Sequence, residues 1–287
     1  MRFKETHRFA LASTTARADL HFMKQPTLFI PHGGGPCFFI NENAPCDPMW
    51  QPMEAYLKTI IADLPERPTA IVIVSGHWEE PLFTVHVGEK PGLLFDYHGF
   101  PEHTYDLRFD ASGAPDVARA AATLLNEAGF ATAENATRGW DHGVFIPLMV
   151  ALPNADIPVV QLSLRADLDP AAHIAAGRAL APLREKGVLI IGSGMSFHNM
   201  GVRGGQATAP ADQWDAALTA AVTDPDPQAR AARVTAWTDL PNARFAHPRE
   251  EHLLPLMVAL GAGQDDTAVQ THHGHVLGWA ISGHRFG

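Results

Sequence analysis

Three histidines stand just past short, continuous apolar runs, and they are the first chemistry the chain offers. TLFIPHGGGP sets His32 after one such run, IVIVSGHWEE sets His77 after a second, and VLIIGSGMSFHNM sets His198 a few residues after a third. Imidazole is the commonest metal ligand and the side chain that titrates nearest neutrality. Glycines accompany each one (Gly33 to Gly35, Gly76, Gly192 and Gly194), so the backbone there can turn sharply and come close to a bound group. HPREEHLLPLMVAL adds His247 and His252, read here at a helix start. Five residues apart on a helix is about 140°, so both cannot face one metal, and one of the two is expected as a ligand. In RGWDHGVFIPL, Asp141 and His142 sit between a turn and an apolar helix, either as a histidine oriented by a carboxylate or as an N-cap aspartate beside a solvent-facing histidine.

Other motifs fit their templates poorly. Pro248 stands where HExxH needs glutamate, and Glu251 where HxxEH needs its second histidine, which argues against a zinc protease of either kind. GSGMS has Gly194 at the nucleophile position of a serine-hydrolase elbow, and neither HGGGP nor GHWEE carries the Lys and Ser/Thr of a phosphate loop. HHGH (His272, His273, His275) reads as an exposed polar loop before the last strand. His7, His21, His86, His173 and His284 have no supporting context.

The elements that must position these residues alternate along the chain. Buried strands are expected at 27–31, 69–75, 83–87, 158–164, 187–192 and 276–282. Helices are expected at 48–62, 115–128, 145–152, 170–185, 211–223, 228–238 and 250–260. This is an α/β pattern: a single domain with a central sheet covered by helices on both faces. In such sheets ligands bind outside the carboxyl ends of the strands, so a metal site is expected there, where imidazoles from distant positions converge. No Pro/Gly/Ser-rich break divides residues 25–287. Residues 1–24 read as a disordered or loosely packed extension, with Met23 a second candidate start.

Composition excludes several classes of function. The 31 acidic residues against 21 basic ones leave a formal charge of −10 and no basic stripe for nucleic acid or an anionic membrane. Two cysteines, Cys37 and Cys46, are too few for a disulfide framework and suggest a reducing, cytoplasmic setting. Histidine, at 16 copies, is the main metal-binding chemistry present.

Taken in order, PHGGGP, SGHW, GFPEHTYDLRF, WDHG, GSGMSFHN and EHLLPL resemble the DOPA 4,5-dioxygenase-like branch of the class III (LigB-type) extradiol ring-cleaving dioxygenases, from about Pro26 to the C-terminus. The resemblance implies a mononuclear metal, with Fe(II) for activity and Zn(II) also bound by relatives. It implies His32, His77 and His252 as ligands, and His198 as acid/base or further ligand. His142 would contact substrate, and Phe100 and Tyr105 would form part of an aromatic wall. The implied reaction is extradiol cleavage of a catechol-type aromatic diol with O2, in aromatic catabolism. A zinc hydrolase on the same histidines, or a non-catalytic binding protein on this fold, are the alternatives. Arg108 and Arg249 are weighed as substrate-carboxylate partners against a surface ion-pair role.

Overall fold

A computed structural model describes residues 22–287. In chain order the main elements are β1 (Thr27–Pro31), α1 (Gln51–Thr59), β2 (Ala70–Glu80), β3 (Phe83–His86), α2 (Pro115–Glu127), β4 (Thr132–Asn135), α3 (His142–Ala151), β5 (Val159–Arg165) and α4 (Pro170–Leu180). They continue with β6 (Val188–Gly194), α5 (Gly205–Val222), α6 (Pro227–Thr235), α7 (Ala243–Ala246), α8 (Leu254–Gly263), β7 (Ala268–Val276) and β8 (Trp279–Phe286). One eight-stranded sheet results, in the order β4-β3-β5-β2-β6-β1-β8-β7.

Its centre, β5-β2-β6-β1, is parallel, and these strands are buried almost throughout, which is why they read as unbroken apolar runs. The edges are mixed: β3 runs antiparallel to β5, and β8 pairs antiparallel with β1 and with β7. Here the expectation for the last strand is corrected. The chain turns at Leu277 and Gly278, and HHGH lies within β7 rather than in a loop. A hairpin edge strand has one solvated face, so polar histidines fit its alternation: His272 stacks on Tyr56, while His273 and His275 meet Asp215 and Asp212 of α5. The short β4 has no apolar run to announce it.

Two helices are apolar all round and correspondingly buried. Every residue of α8 is buried, and so are nine of the ten in α3. α8 packs between β6 and α4. A Cβ on Gly177 would lie 2.2 Å from the Val258 carbonyl and one on Gly261 2.0 Å from that of Ile174, so α4 and α8 touch backbone to backbone. Among the described residues no helix is long and apolar enough to cross a membrane. Of the expected N-terminal extension, residues 1–21, with His7 and His21, lie outside the described residues. Its last positions are exposed but tied down: Lys24 forms a 2.9 Å ion pair with Asp266.

Three histidines away from the strand ends are fully buried: His173, His247 and His284. Burial lowers the first to a pKa of about 4 and the other two to about 3, against 6.5 in the unfolded chain. Below pH 6.5 the unfolded state therefore binds protons that the folded state refuses, and stability falls as pH drops from 6.5 towards 4. The slope approaches about 1.4 kcal/mol per pH unit for each group. Thermal midpoints measured from pH 7 to pH 4.5 should show this decline. His284→Leu should make it shallower, because the His284 ring has only a long 3.4 Å contact to Thr219 Oγ1 to lose.

Candidate metal centre

His32 follows β1 and extends its ladder, its N–H donating to the Gly194 carbonyl at 3.1 Å. His77 lies in an irregular stretch of β2: five residue steps from Val74 to Glu79 match two on β5, from Leu162 to Leu164. The extra residues turn His77 off the sheet. His142 is the first residue of α3, and His198 follows β6 with its N–H on the Ala246 carbonyl at 3.0 Å. His252 stands in a turn before α8, not on the helix, so the angular argument for choosing between it and His247 does not apply. His252 joins the cluster. His247 turns the other way, between Trp214 and Trp237, with its Nε2 on the Ser196 carbonyl.

The segment carrying His252 lies hard against β2 and β6. A Cβ on Gly194 would sit 2.1 Å from the His252 carbonyl, one on Gly192 2.1 Å from that of Pro255, and one on Gly76 3.0 Å from that of Glu251. These strand-end glycines were expected to admit a bound group. What they admit is the backbone of residues 251–255, which in turn receives the Met195 N–H on the His252 carbonyl at 3.0 Å.

Five imidazoles thus meet at the ends of the central strands. The rings of His32, His77 and His252 form a near-equilateral triangle, with centroids 5.0, 5.2 and 4.7 Å apart. His142 lies 4.0 Å from His77, and His198 stacks on His252 at 3.5 Å. Two ligand groups satisfy the spacing for one ion, His32 with His77 and His142, and His198 with Glu251 and His252. They adjoin at the 3.1 Å contact between His77 Nε2 and His252 Nε2.

Each of the five rings has an oxygen facing Nδ1, hydrogen-bonded for His32, His142 and His252 and at ion-pair range for His77 and His198. These are the Gly33 carbonyl for His32 (2.9 Å), Asp96 for His142 (2.8 Å) and His77 (3.5 Å), and Glu251 for His252 (2.9 Å) and His198 (3.4 Å). In the three hydrogen-bonded rings the acceptor puts the proton on Nδ1 and leaves the Nε2 lone pair as donor, the arrangement of metal-bound histidine. His32 Nε2 is buried without a partner among the described residues. Two neutral Nε2 lone pairs 3.1 Å apart repel unless a cation lies between them, and ligands at 2.0–2.1 Å in tetrahedral geometry are about 3.3 Å apart. The residues therefore fit a metal ion.

Electrostatics keep these donors ready. Burial, reinforced by neighbouring imidazoles, holds His32 and His77 well below their ordinary pKa. His252 is lowered to about 4 by burial, with the Glu251 hydrogen bond opposing. All three are neutral at pH 7. Burial works against ionisation of Glu251 and Asp96, but hydrogen bonds from His198 and His252 to the first, and from His142 to the second, hold both below the usual carboxylate range.

The carboxylate that orients His142 is Asp96, not its neighbour Asp141. Asp96 Oδ1 accepts from both the N–H and Nδ1–H of His142, taking the place of an N-cap side chain on α3. Asp141 is fully buried and accepts from Ser75 (2.7 Å), Gln161 and Arg138 (3.2 Å), while Arg138 also donates to the His77 carbonyl.

A cavity of about 520 Å³ opens over the cluster, walled by Ile40, Trp50, Tyr97, Phe100, Met200 and Trp279. Of the two aromatic residues expected there, Phe100 lines it. Tyr105 stands one layer behind, 5.3 Å from Tyr97, its hydroxyl accepting from the Phe100 N–H at 3.4 Å. Trp50, Tyr97 and Trp279 complete the wall without a sequence signal that marks them. Arg249 is held by Glu79 through two short hydrogen bonds, and Arg108 lines a separate hollow beside Phe109 and Asp110. Neither reaches the cavity.

Known proteins resemble the chain along most of its length. Residues 26–283 match the family model described as the catalytic LigB subunit of aromatic ring-opening dioxygenase. The chain is 36% identical over 252 residues to a 4,5-DOPA dioxygenase extradiol of Beta vulgaris, covering 86% of this chain and 90% of that one. It is 34% identical over 271 residues to a protein named dioxygenase tasH from Hapsidospora irregularis, covering 88% and 82%. The crystal structure of an uncharacterized Escherichia coli protein superposes with a TM-score of 0.74 at 27% identity, covering 92% of this chain and all of that one.

If Asp96 and Glu251 set the ring orientations, Asp96→Ala and Glu251→Ala should each weaken divalent-metal affinity by about 10- to 100-fold with little change in far-ultraviolet circular dichroism. Chelator competition measures this, and unchanged affinity in both variants would remove the orienting role.

Proposed function

Because the chain belongs to the LigB family of aromatic ring-opening dioxygenases, in its DOPA-dioxygenase-like branch, we propose that it opens a catechol-type ring with O2, cutting outside the two hydroxyls, at a metal held by His32, His77 and His252. The observation that carries this reading is the convergence of Nε2 atoms beneath an aromatic-walled cavity, with Nδ1 of His32 and His252 hydrogen-bonded and that of His77 facing Asp96. Three neutral imidazoles do not choose sharply between iron and zinc. The chemistry does: a reaction with O2 calls for a redox-active ion, and zinc is not one, so Fe(II) is the working metal and Zn(II) a competitor for the same ligands. When bound, Fe(II) supplies positions for both ring hydroxyls and O2 and the electron exchange that lets O2 react with the ring.

The chain's own residues do the rest. Tyr97, Phe100, Trp50 and Trp279 offer flat apolar surface for the aromatic ring and keep bulk water from it. His198 lines the cavity, and with Nδ1 facing Glu251 its Nε2 is the basic atom. It accepts a proton from a ring hydroxyl as the diol binds and returns one as the ring opens. His142, fixed at two atoms by Asp96, presents Nε2 as a rigid contact for a hydroxyl of the substrate. Cys37 and Cys46 are both free thiols, which fits a reducing, cytoplasmic setting.

Anaerobically Fe(II)-loaded protein, given dihydroxylated aromatics and then air, should consume one O2 per molecule of yellow ring-opened product and form none under argon. No ring opening in air, together with hydrolysis of an ester or amide that proceeds equally under argon, would favour a zinc hydrolase on the same histidines. His198→Ala should retain metal and lose about 10²- to 10⁴-fold in kcat; a wild-type rate in that variant would end its acid/base role.

A further inference from the structure

Asp141 stands at the N-cap position of α3, yet its side chain caps nothing there; Asp96 takes that place. The Asp141 carboxylate turns inwards instead and is fully buried. Its partners are all donors: the Ser75 hydroxyl at 2.7 Å, the Gln161 amide, and the Arg138 guanidinium at 3.2 Å. Three donors suit an ionised carboxylate, which offers only acceptors. Burying an anion is unfavourable unless it is paired, and neither proton transfer nor ring binding, as described above, uses this one.

The partners show where it acts. Ser75 Oγ accepts the His77 N–H at 3.1 Å, so the hydroxyl proton is directed to Asp141 Oδ1. The Arg138 nitrogen that donates to Asp141 Oδ2 also donates to the His77 carbonyl at 3.1 Å. One carboxylate thus holds both sides of one residue's backbone, the N–H through Oδ1 and Ser75, the carbonyl through Oδ2 and Arg138. That residue lacks the usual support of a strand. Among the described residues, Gly76, His77 and Trp78 are in register with no residue of β5 or β6, because β2 leaves the ladders after Val74 and Ser75 and rejoins β5 only at Glu79. An irregularity of this kind re-aims a side chain but forgoes the ladder bonds that would fix it.

Both arms are themselves confined. The Arg138 guanidinium lies 5.1 Å over the Trp78 ring, and the Arg138 backbone N–H donates to Asn135 at 2.9 Å. The first turn of α3 covers Ser75 so closely that a Cβ on Gly143 would fall 2.3 Å from Ser75 Oγ. Asp96 stands 3.5 Å from Nδ1 of the His77 ring, too far for a firm hydrogen bond, so the backbone carries the aim of the ring.

We infer that Asp141 is a positioning residue for the metal site: through Ser75 and Arg138 it clamps the His77 backbone where the sheet does not, and so sets where that ring points. The inference rests on His77 being a ligand, as proposed above, and adds what holds it in place.

The test uses the full chain loaded with Co(II), which takes imidazole ligands and reports its coordination in visible absorption bands. Asp141→Asn keeps the shape but sets an amide N–H against one of the donors. Its Co(II) affinity, by chelator competition, should fall about 10- to 100-fold and the bands should shift, with far-ultraviolet circular dichroism unchanged. Arg138→Gln, at a partly exposed side chain, should shift both in the same direction and decides the matter alone if Asp141→Asn does not fold; Arg138→Lys should recover part of the loss. Because the arms run through one carboxylate, adding Arg138→Gln to Asp141→Asn should weaken binding no more than about twofold further. Asp215→Asn alters another buried carboxylate, which holds Ser282 and His273, and should leave affinity and bands as in the wild type whatever happens to the thermal midpoint. Wild-type affinity and bands in the Asp141 and Arg138 variants, or losses in Asp215→Asn as large as theirs, would overturn the proposal. His77→Ala separates it from the reading it rests on. If that variant binds Co(II) as tightly as the wild type, the ligand assignment falls and the positioning role with it; if it loses affinity while the Asp141 and Arg138 variants keep theirs, the positioning role alone falls.

Discussion

The site depends on a close approach of backbone to backbone. Residues 251–255 lie against the ends of β2 and β6 at a distance that only Gly76, Gly192 and Gly194 permit, since a Cβ on any of them would meet a carbonyl at or inside about 3 Å. That seat brings His252 within reach of His77, sets Glu251 between His252 and His198, and lets α8 begin directly over the sheet. Any side chain at those glycines would push the segment outward and carry one ring of the triangle with it. The apolar perfection of α8 follows from the same approach: a helix entering the core at that depth has no solvated side on which to place a polar residue.

Electrostatically the cluster is a set of neutral bases supported by a few anions. Five imidazoles in a buried space would repel one another if protonated, so burial and mutual proximity keep the triangle neutral, while two carboxylates face Nδ1 of four of the rings and hydrogen-bond two of them. His32 uses its own neighbour's carbonyl instead. The anions are in turn held by groups outside the cluster: Arg249 reaches Glu251 and Glu79 together, and Asp141 gathers Ser75, Gln161 and Arg138 behind His77. Fixed acceptors of this kind determine where lone pairs point before any ion arrives.

Much of this was legible in the sequence where a local signal exists. A parallel strand buried on both faces must be an apolar run, so His32, His77 and His198 could be recognised as strand-end residues, and the order of motifs carried the family. Long-range partners leave no such trace. Asp96 lies 46 positions from His142, and nothing near either marks the pair, whereas Asp141 next door was a natural but wrong choice. His252 was assigned to a helix because EHLLPLMVAL is apolar throughout, yet the helix waits until Leu254, leaving His252 in the turn where its ring can swing towards His77. The histidines of β7 looked like loop because an edge hairpin tolerates polar residues that a central strand does not. Tyr97 and Tyr105 are both aromatic residues of one segment, and only packing decides which faces the cavity.

The stretch that supplies Asp96 also supplies Tyr97 and Phe100. One loop therefore supplies both the carboxylate that faces the histidines and part of the cavity wall, so a shift in the wall there moves the carboxylate shared by His142 and His77. The loop bearing Met200 and Arg203 is tied instead to the β7–β8 turn. The molecule thus separates two kinds of variation: substitutions on the β6 side reshape the cavity wall without touching the carboxylates that face the histidines, whereas substitutions around Asp96 alter wall and cluster together.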